Sequence, residues 1–464
     1  MEIIVVNANY LHFNCIFQLQ YLILQKKIML VRFAVENFKS FREEVELDLR
    51  ATSLKDEGLD SNLLYLPGIK QKLLKSAVVY GNNASGKSNL MLAFSALSHL
   101  VTDSVNMNPD DTIRPYEPFR FEESSKNKPV VFEIEFFSAD TIRYIYQLSF
   151  RSDHIVSESL HFYPKTQKAL LFERNNGKVK FGDAFTGEKQ SLKKRLLDNQ
   201  LLLSKAANEN IKPVISAYRF FSNHLNVFPY IPEKREQHLE RQITRQIAES
   251  SDPAFTEKLR KLIKALDTGI ENFHSRETDW SDFSFPENMP DKIKSQIKEE
   301  LKFRLTTYHK YFKGDEEAGE ETMDISEESH GTQRLFRMGG LLLNELSRGG
   351  VLIMDEFEKN FHPRITRYLI ELFHREDVNA NNAQFILATH DVTQLSTEVF
   401  RRDQIWFTEK NEKGETDIFR ASDIEGVRKN TPLDRWYLTG RIGATPAIDD
   451  FEFLMEILKD AQSR

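Results

Sequence analysis

The 464-residue chain has one cysteine, Cys15, so no disulfide framework can form within it and a reducing compartment is permitted. It has no excess of positive charge. Its 63 Lys and Arg stand against 70 Asp and Glu for a net −7, which argues against a uniformly basic nucleic-acid coat and leaves room only for a local basic groove. It has no internal repeat and no sustained heptads, which excludes solenoids and long coiled coils. It also lacks a long apolar run. Ile3–Val6 and Ile16–Leu24 are interrupted by Asn7, Asn9, His12, Asn14, Gln18 and Gln20, well short of the roughly 18 residues a membrane span needs. Glu2 leads and Lys26 and Lys27 trail, the reverse of a secretory signal. Residues 1–28 therefore read as an upstream extension, consistent with a mis-set start codon, and a cytoplasmic protein without membrane association is expected. Aromatic residues are abundant. With 35 Phe and 14 Tyr, 40% hydrophobic and 29% charged residues, the chain has the composition of a globular protein with a sizeable core.

Three regions follow the extension. In 29–190, Leu30–Val35 and Val45–Leu49 are β-prone around a break at Asn37–Arg42, and Ala77-Val78-Val79-Tyr80 is a buried-strand run. Ser88–Leu100 has helical spacing. Val130–Phe137, Thr141–Phe150, Ile155–Phe162 and Ala169–Arg174 read as antiparallel strands, with Asn175-Asn176-Gly177 as a turn. Residues 191–302 read as a mainly helical insertion. There Asp252 is an N-cap candidate before Pro253, and Phe255, Leu259, Leu262, Ile263, Leu266 and Ile270 form one apolar stripe of the kind that packs a helix on a core. In 303–464, Phe303–Phe312 reads as a strand and Gly314–Glu321 as a solvated acidic loop. Strands at Val351–Met354, Gln384–Ala388 and Gln404–Thr408 then alternate with helices at Gly331–Leu346 and Pro363–Phe373, the pattern of a parallel α/β core.

The sharpest signal is Gly81-Asn82-Asn83-Ala84-Ser85-Gly86-Lys87-Ser88, the P-loop pattern, lying between a buried strand and a helix. Gly81 lets the chain leave the strand sharply. Gly86 lets main-chain N–H groups approach a phosphate. Those groups and the helix N-terminus, continuing into Asn89, make an anion nest. Lys87 is expected to reach the β- and γ-phosphates, and the Ser88 hydroxyl to ligate Mg²⁺, a hard cation. Val351-Leu352-Ile353-Met354-Asp355-Glu356 is an apolar strand ending in two carboxylates, the Walker B pattern. Alone it is a strand running out into acidic solvent; beside a P-loop, Asp355 becomes the expected Mg²⁺ holder and Glu356 the group that orients and deprotonates the attacking water. His390 ends another buried strand, Phe385–Ala388, and carboxyl ends of parallel strands are where ligands bind, so Lys87, Asp355, Glu356 and His390 are expected to converge. Glu328-Ser329-His330-Gly331-Thr332-Gln333 opens a helix. Alone it is an ordinary N-cap, but its place before the acidic strand makes Ser329 and Gly331 phosphate-binding candidates.

In this order the motifs resemble ABC-type ATPase heads of the SMC and RecF kind, with Asn37-Phe38-Lys39-Ser40-Phe41 similar to their first-strand motif. More closely, the chain resembles the AAA-domain ATPases related to the OLD family and to RloA/AbiL-like abortive-infection proteins. The run of P-loop, Glu-Ser-x-Gly-Thr-x-Arg, Asp-Glu-Phe, Thr-His-Asp and the closing Gly440-Arg441-Ile442-Gly443-Ala444 carries that likeness over roughly Leu30 to Ala447. The resemblance implies an α/β P-loop NTPase of ABC/SMC-head type with an antiparallel β lobe and a helical insertion. It implies two heads sandwiching ATP and Mg²⁺ as a homodimer or higher homo-oligomer. One head would offer Lys87, Ser88, Asp355, Glu356 and His390, and the other Ser329 and Gly331 to the γ-phosphate, so that hydrolysis switches the dimer. The signature reads Ser329-His330-Gly331, without the preceding Leu and double glycine of transporter ATPases, and Gln147 is only a weak candidate for the glutamine that links Mg²⁺ to the rest of an ABC head.

The function expected is a regulatory ATPase of an anti-phage or abortive-infection system with a separate nuclease or other effector subunit. The alternative is a RecF-like DNA-repair clamp, with DNA crossing a basic stripe drawn from Lys193, Lys194, Arg195, Lys234, Arg235, Arg241 and Arg245. A self-contained OLD-type nuclease is disfavoured, because about 74 residues follow His390.

Overall fold

The computed structural model describes residues 28–443 apart from 55, 57, 66–69, 231, 250–252 and 282–283. Residues 1–27 of the expected extension, the N-cap candidate Asp252 and Ala444 lie outside the described residues.

Strand β1 (Met29–Glu36) and β2 (Val45–Asp48) pair antiparallel. The two-residue strands β3 (Leu63–Leu64) and β4 (Leu73–Leu74) form a small ribbon, and β5 (Ser76–Tyr80) enters the interior. Helix α1 (Lys87–Asp103) follows. Strands β6 (Val130–Phe137), β7 (Arg143–Phe150), β8 (Ile155–Tyr163), β9 (Ala169–Asn175) and β10 (Lys178–Phe181) join β1 and β2 in a seven-stranded antiparallel sheet of order β10-β9-β8-β7-β6-β1-β2. Asn176 and Gly177 both have positive φ, 43° and 76°, the two-residue turn whose twist suits a hairpin.

The second sheet is built from strands far apart in sequence. It runs β11 (Leu225–Phe228), β15 (Val351–Asp355), β16 (Gln384–Ala388), β5, β17 (Ile405–Lys410) and β18 (Thr416–Arg420), all parallel except the last pair. Its central strands are buried along their whole length, as near-continuous apolar runs demand. Period-2 alternation divides them between two cores. Ala77, Val79, Ile353 and Ile386 face α1 and the antiparallel sheet, with Phe94 of α1 stacked on Phe33 of β1 at 3.9 Å. Val78, Leu352, Met354, Phe385 and Leu387 face the opposite core, built from helices α2 (Glu233–Glu249), α3 (Pro253–Ala265), α4 (His330–Arg348) and α5 (Pro363–His374). Helix α1 is thus wedged between two sheets.

Two expectations change. The stretch 191–302 carries helices as expected, but it also donates β11 to the parallel sheet, and Ile270, read as the end of a helical stripe, instead opens β12 (Ile270–Glu277). The expected acidic loop Gly314–Glu321 is for the most part strand β14 (Glu316–Asp324), paired with β13 (Phe303–Lys313) in a three-stranded sheet with β12. The reason is cross-strand charge: Lys310 stands opposite Glu320, and its ammonium lies 2.8 Å from Glu317, so an all-polar strand is held by its partner.

One buried carboxyl makes stability depend on pH. Glu345 on α4 is 2% exposed, accepts two 3.0 Å hydrogen bonds from the Asn226 amide of β11, and is pushed up to about 7 by burial. A carboxyl whose folded value lies above its unfolded one favours the fold while protonated, so that contribution is present at acid pH and fades as pH rises through about 7. Glu345→Gln should therefore be more stable than the natural chain at pH 8.5, by about 3 kcal/mol on the pKa difference, and nearly equal to it at pH 4; thermal melts at the two pH values measure it.

Candidate functional site at the carboxyl edge of the parallel sheet

Register brings the chemistry together. Ala388 of β16 pairs with Asp355 of β15 on one side and with Val79 of β5 on the other, so the three strands end level. The loop 81–88 leaves β5 there, the 355–358 segment leaves β15 there, and Thr389-His390-Asp391 leaves β16 there.

Loop 81–88 is shaped from underneath. Ser85 Oγ lies 2.6 Å from Thr408 Oγ1, and Thr416 Oγ1 donates to Ser85 O at 2.7 Å. Gly81 and Gly86 are constrained by this packing: a Cβ on Gly81 would sit 2.3 Å from Thr408 Oγ1, and one on Gly86, at φ 118°, would sit 2.5 Å from Thr416 Oγ1. The glycines thus let the loop press against the β17–β18 hairpin. The upper side of the loop stays accessible: Asn82 is half-buried, Asn83 and Ala84 are exposed, and Ala84 has a positive φ of 64°. Tyr437 lies close to the Gly81 backbone, and its ring stacks on Phe407 at 5.9 Å.

Lys87 is buried and folds back over the loop, donating to Gly81 O at 2.7 Å and Asn82 O at 3.0 Å. Burial lowers its pKa to about 8 against the attraction of Asp355, Glu358 and Glu356. The Ser88 hydroxyl lies beside the Asp355 carboxyl, which is raised by burial while Ser88 and Lys87 pull the other way. Ser88 and Asp355 are hard oxygen donors side by side, a set that fits Mg²⁺. Among the described residues no group of three or more His, Cys, Asp or Glu is placed to hold a metal ion unaided, so such an ion would complete its shell with phosphate oxygens and water.

Glu356 is exposed at φ 49°, with its N–H on Ala388 O at 3.0 Å and its carbonyl held by Arg334 Nη2 at 3.3 Å. Arg334 sits on α4 and is itself paired with Glu236 of α2. The His390 ring is lowered by burial and by Lys87, which leaves it neutral at pH 7. A residue the sequence did not single out joins this group. Glu358 Oε1 accepts the His390 N–H at 2.9 Å, and its other oxygen is buried with no hydrogen-bond partner. The motif read from the sequence stops at Asp-Glu-Phe, and nothing in it says that the next carboxylate turns back to the His390 backbone.

Other candidates lie elsewhere. Asn89 braces the loop from the helix side, donating to Ser40 Oγ at 2.7 Å. Ser329 is exposed and caps α4, accepting the Thr332 N–H at 3.1 Å; Gly331 stands against the loop after the acidic strand, where an added Cβ would be 3.2 Å from Asn360 O. Gln147 belongs to the antiparallel sheet, bonded to Glu133 and Ser159, away from the sheet edge. Of the basic residues, Arg195 pairs with Glu209, Arg245 with Glu299, and Arg235 covers the Phe228 ring.

Among solved structures the chain is similar to an SMC head bound to the C-terminal winged-helix domain of ScpA, at 11% identity, 84% of this chain, 97% of that one and a TM-score of 0.44. It is similar to the SMC head domain from Thermotoga maritima at 12% identity, covering 84% and 98% with a TM-score of 0.37. It is also similar to an SMC head with an extended coiled coil from Pyrococcus furiosus, at 11%, covering 85% and 96% with a TM-score of 0.40. No curated protein sequence matches it. Residues 76–396, which include loop 81–88, the acidic strand and His390, match a family model described as "AAA domain, putative AbiEii toxin, Type IV TA system". With most of its length matched and the motifs gathered at one sheet edge, the chain belongs to this family of AAA-domain, P-loop ATPases.

Proposed function

We propose that the chain binds and hydrolyses ATP as the regulatory ATPase of an abortive-infection or other anti-phage system, working as a head-to-head dimer with a separate effector nuclease. One observation carries the enzymatic part: the level ends of β5, β16 and β15 bring Lys87 and Ser88 of the loop beside the Asp355 carboxylate. That trio suits a triphosphate and little else, because a cation, a hard-oxygen pair and a ring of main-chain N–H groups meet at one helix N-terminus. The AbiEii description of the matched family supports the defence setting.

In this reading the N–H groups of 82–89 cradle the phosphates, and Lys87 exchanges its two carbonyl partners for β- and γ-phosphate oxygens. Ser88 and Asp355 would hold Mg²⁺, which would supply positive charge against those oxygens. Glu356 orients and deprotonates water. Neutral His390, steadied through its backbone by Glu358, accepts or donates one hydrogen bond at the γ-phosphate end. Exposed Ser329 and half-buried Gly331 offer the start of α4 to the nucleotide of a second copy, and Arg334 ties that same helix to the Glu356 carbonyl.

Lys87→Ala should abolish ATP binding measured by calorimetry; undiminished affinity would remove the ATPase reading. Glu356→Gln should bind ATP normally and lower turnover at least about 100-fold, the usual contribution of a positioned base, while dimer accumulates in size-exclusion chromatography; natural turnover would exclude Glu356 as the base. In Ser329→Arg, ATP should still bind but no ATP-dependent dimer should form, and a normal dimer would count against the shared site.

A further inference from the structure

Loop 81–88 is flanked on one side by two turns that meet each other. Thr416 N donates to Ser40 O at 2.8 Å, Thr416 Oγ1 lies 2.8 Å from Ser40 Oγ, and the same two residues bond Ser85 O and the Asn89 amide. One residue before Thr416 and two after Ser40, the chain opens into a cleft of about 690 Å³ lined by Arg42, Phe119, Phe121, Glu122 and residues 412–415. We infer that this cleft takes the purine base of the nucleotide, with the Phe121 ring as its stacking platform. The inference rests on the nucleotide reading above and adds the part of the ligand that the phosphate loop leaves unaddressed.

Four features support it. Position is the first: Asn89 and Ser40 join the helix N-terminus, where the innermost phosphate of a bound nucleotide lies, directly to the segment that forms the cleft wall. Second, Phe121 is 74% exposed and belongs to neither main core; Phe119 meets it edge-on at 5.7 Å and 76°, which leaves ring surface open to a planar partner. Third, the residue facing Phe121 is Gly414 at φ 78°, and any Cβ there would come 2.9 Å from the ring. Finally, the cleft carries acceptors for the N–H groups on a purine edge, Glu122 and Glu415, already held in place by Arg42 at 2.5 and 2.6 Å. That pairing also offsets negative charge that would otherwise repel phosphate. Stacking on an aromatic face combined with a few fixed polar groups is the ordinary chemistry of base recognition.

The test compares ATP with inorganic tripolyphosphate, which has the phosphates and no base. Both are titrated with Mg²⁺ into the natural chain, Phe121→Ala and Phe121→Tyr. The expected result is tighter binding of ATP than of tripolyphosphate by the natural chain. Phe121→Ala should lose about 10- to 100-fold in ATP affinity with tripolyphosphate unchanged, the range seen when a stacking ring is removed, and Phe121→Tyr should restore ATP affinity. Unchanged ATP affinity in Phe121→Ala would overturn the inference and leave the phosphate site standing. Equal losses for both ligands would also overturn it, since the effect would then lie in the loop. If neither ligand binds the natural chain, the nucleotide reading falls and this inference with it.

Discussion

Three parallel strands ending level at Val79, Ala388 and Asp355 are the constraint on which the rest depends. About 270 residues separate the loop after β5 from the carboxylate after β15, yet the hydrogen-bond ladder through β16 sets their spacing to within a side chain's reach. Parallel strands need long crossovers, and this chain places its antiparallel sheet and its helical layer within them. A slip of one residue in β16 would turn every side chain of that strand to the opposite core and carry His390 away from Lys87.

Electrostatics at that edge are held in tension. Lys87 is lowered and Asp355 raised, each by burial, while each favours the charge of the other. Desolvated charges of this kind hold their strength because water cannot screen them, and such perturbed groups gather where ligands are to be met. Glu356 is held differently. Its left-handed backbone and Arg334-bound carbonyl fix the main chain, while its carboxylate faces solvent. Helix α4 therefore carries the exposed Ser329 at its start and a grip on the Glu356 carbonyl one turn later, so one rigid element positions both.

Much of this was legible in the sequence because chemistry restricts the residues. Gly81 to Ser88, Asp355, Glu356 and the buried strands before them leave few other readings, and Val130–Phe137 and Gln384–Ala388 are strands with the boundaries their apolar runs suggest. What was not legible depends on partners distant in sequence. Leu225–Phe228 is too short to declare itself a member of the parallel sheet; it is one because β15 lies beside it. Glu316–Asp324 has a loop's composition and is a strand because Lys310 faces it. Glu358, Tyr437 and Thr416 carry no motif of their own, and their roles exist only once the loop they touch has been placed.

The underside of loop 81–88 has a consequence for biosynthesis. The floor that gives the loop its shape, Thr408 and Thr416, is translated more than 300 residues after the loop it supports. A nascent chain therefore carries loop 81–88 for most of its synthesis without the hairpin that shapes it. Among the described residues β17 and β18 are the last strands made, so chains terminated before them are left without the floor of this loop.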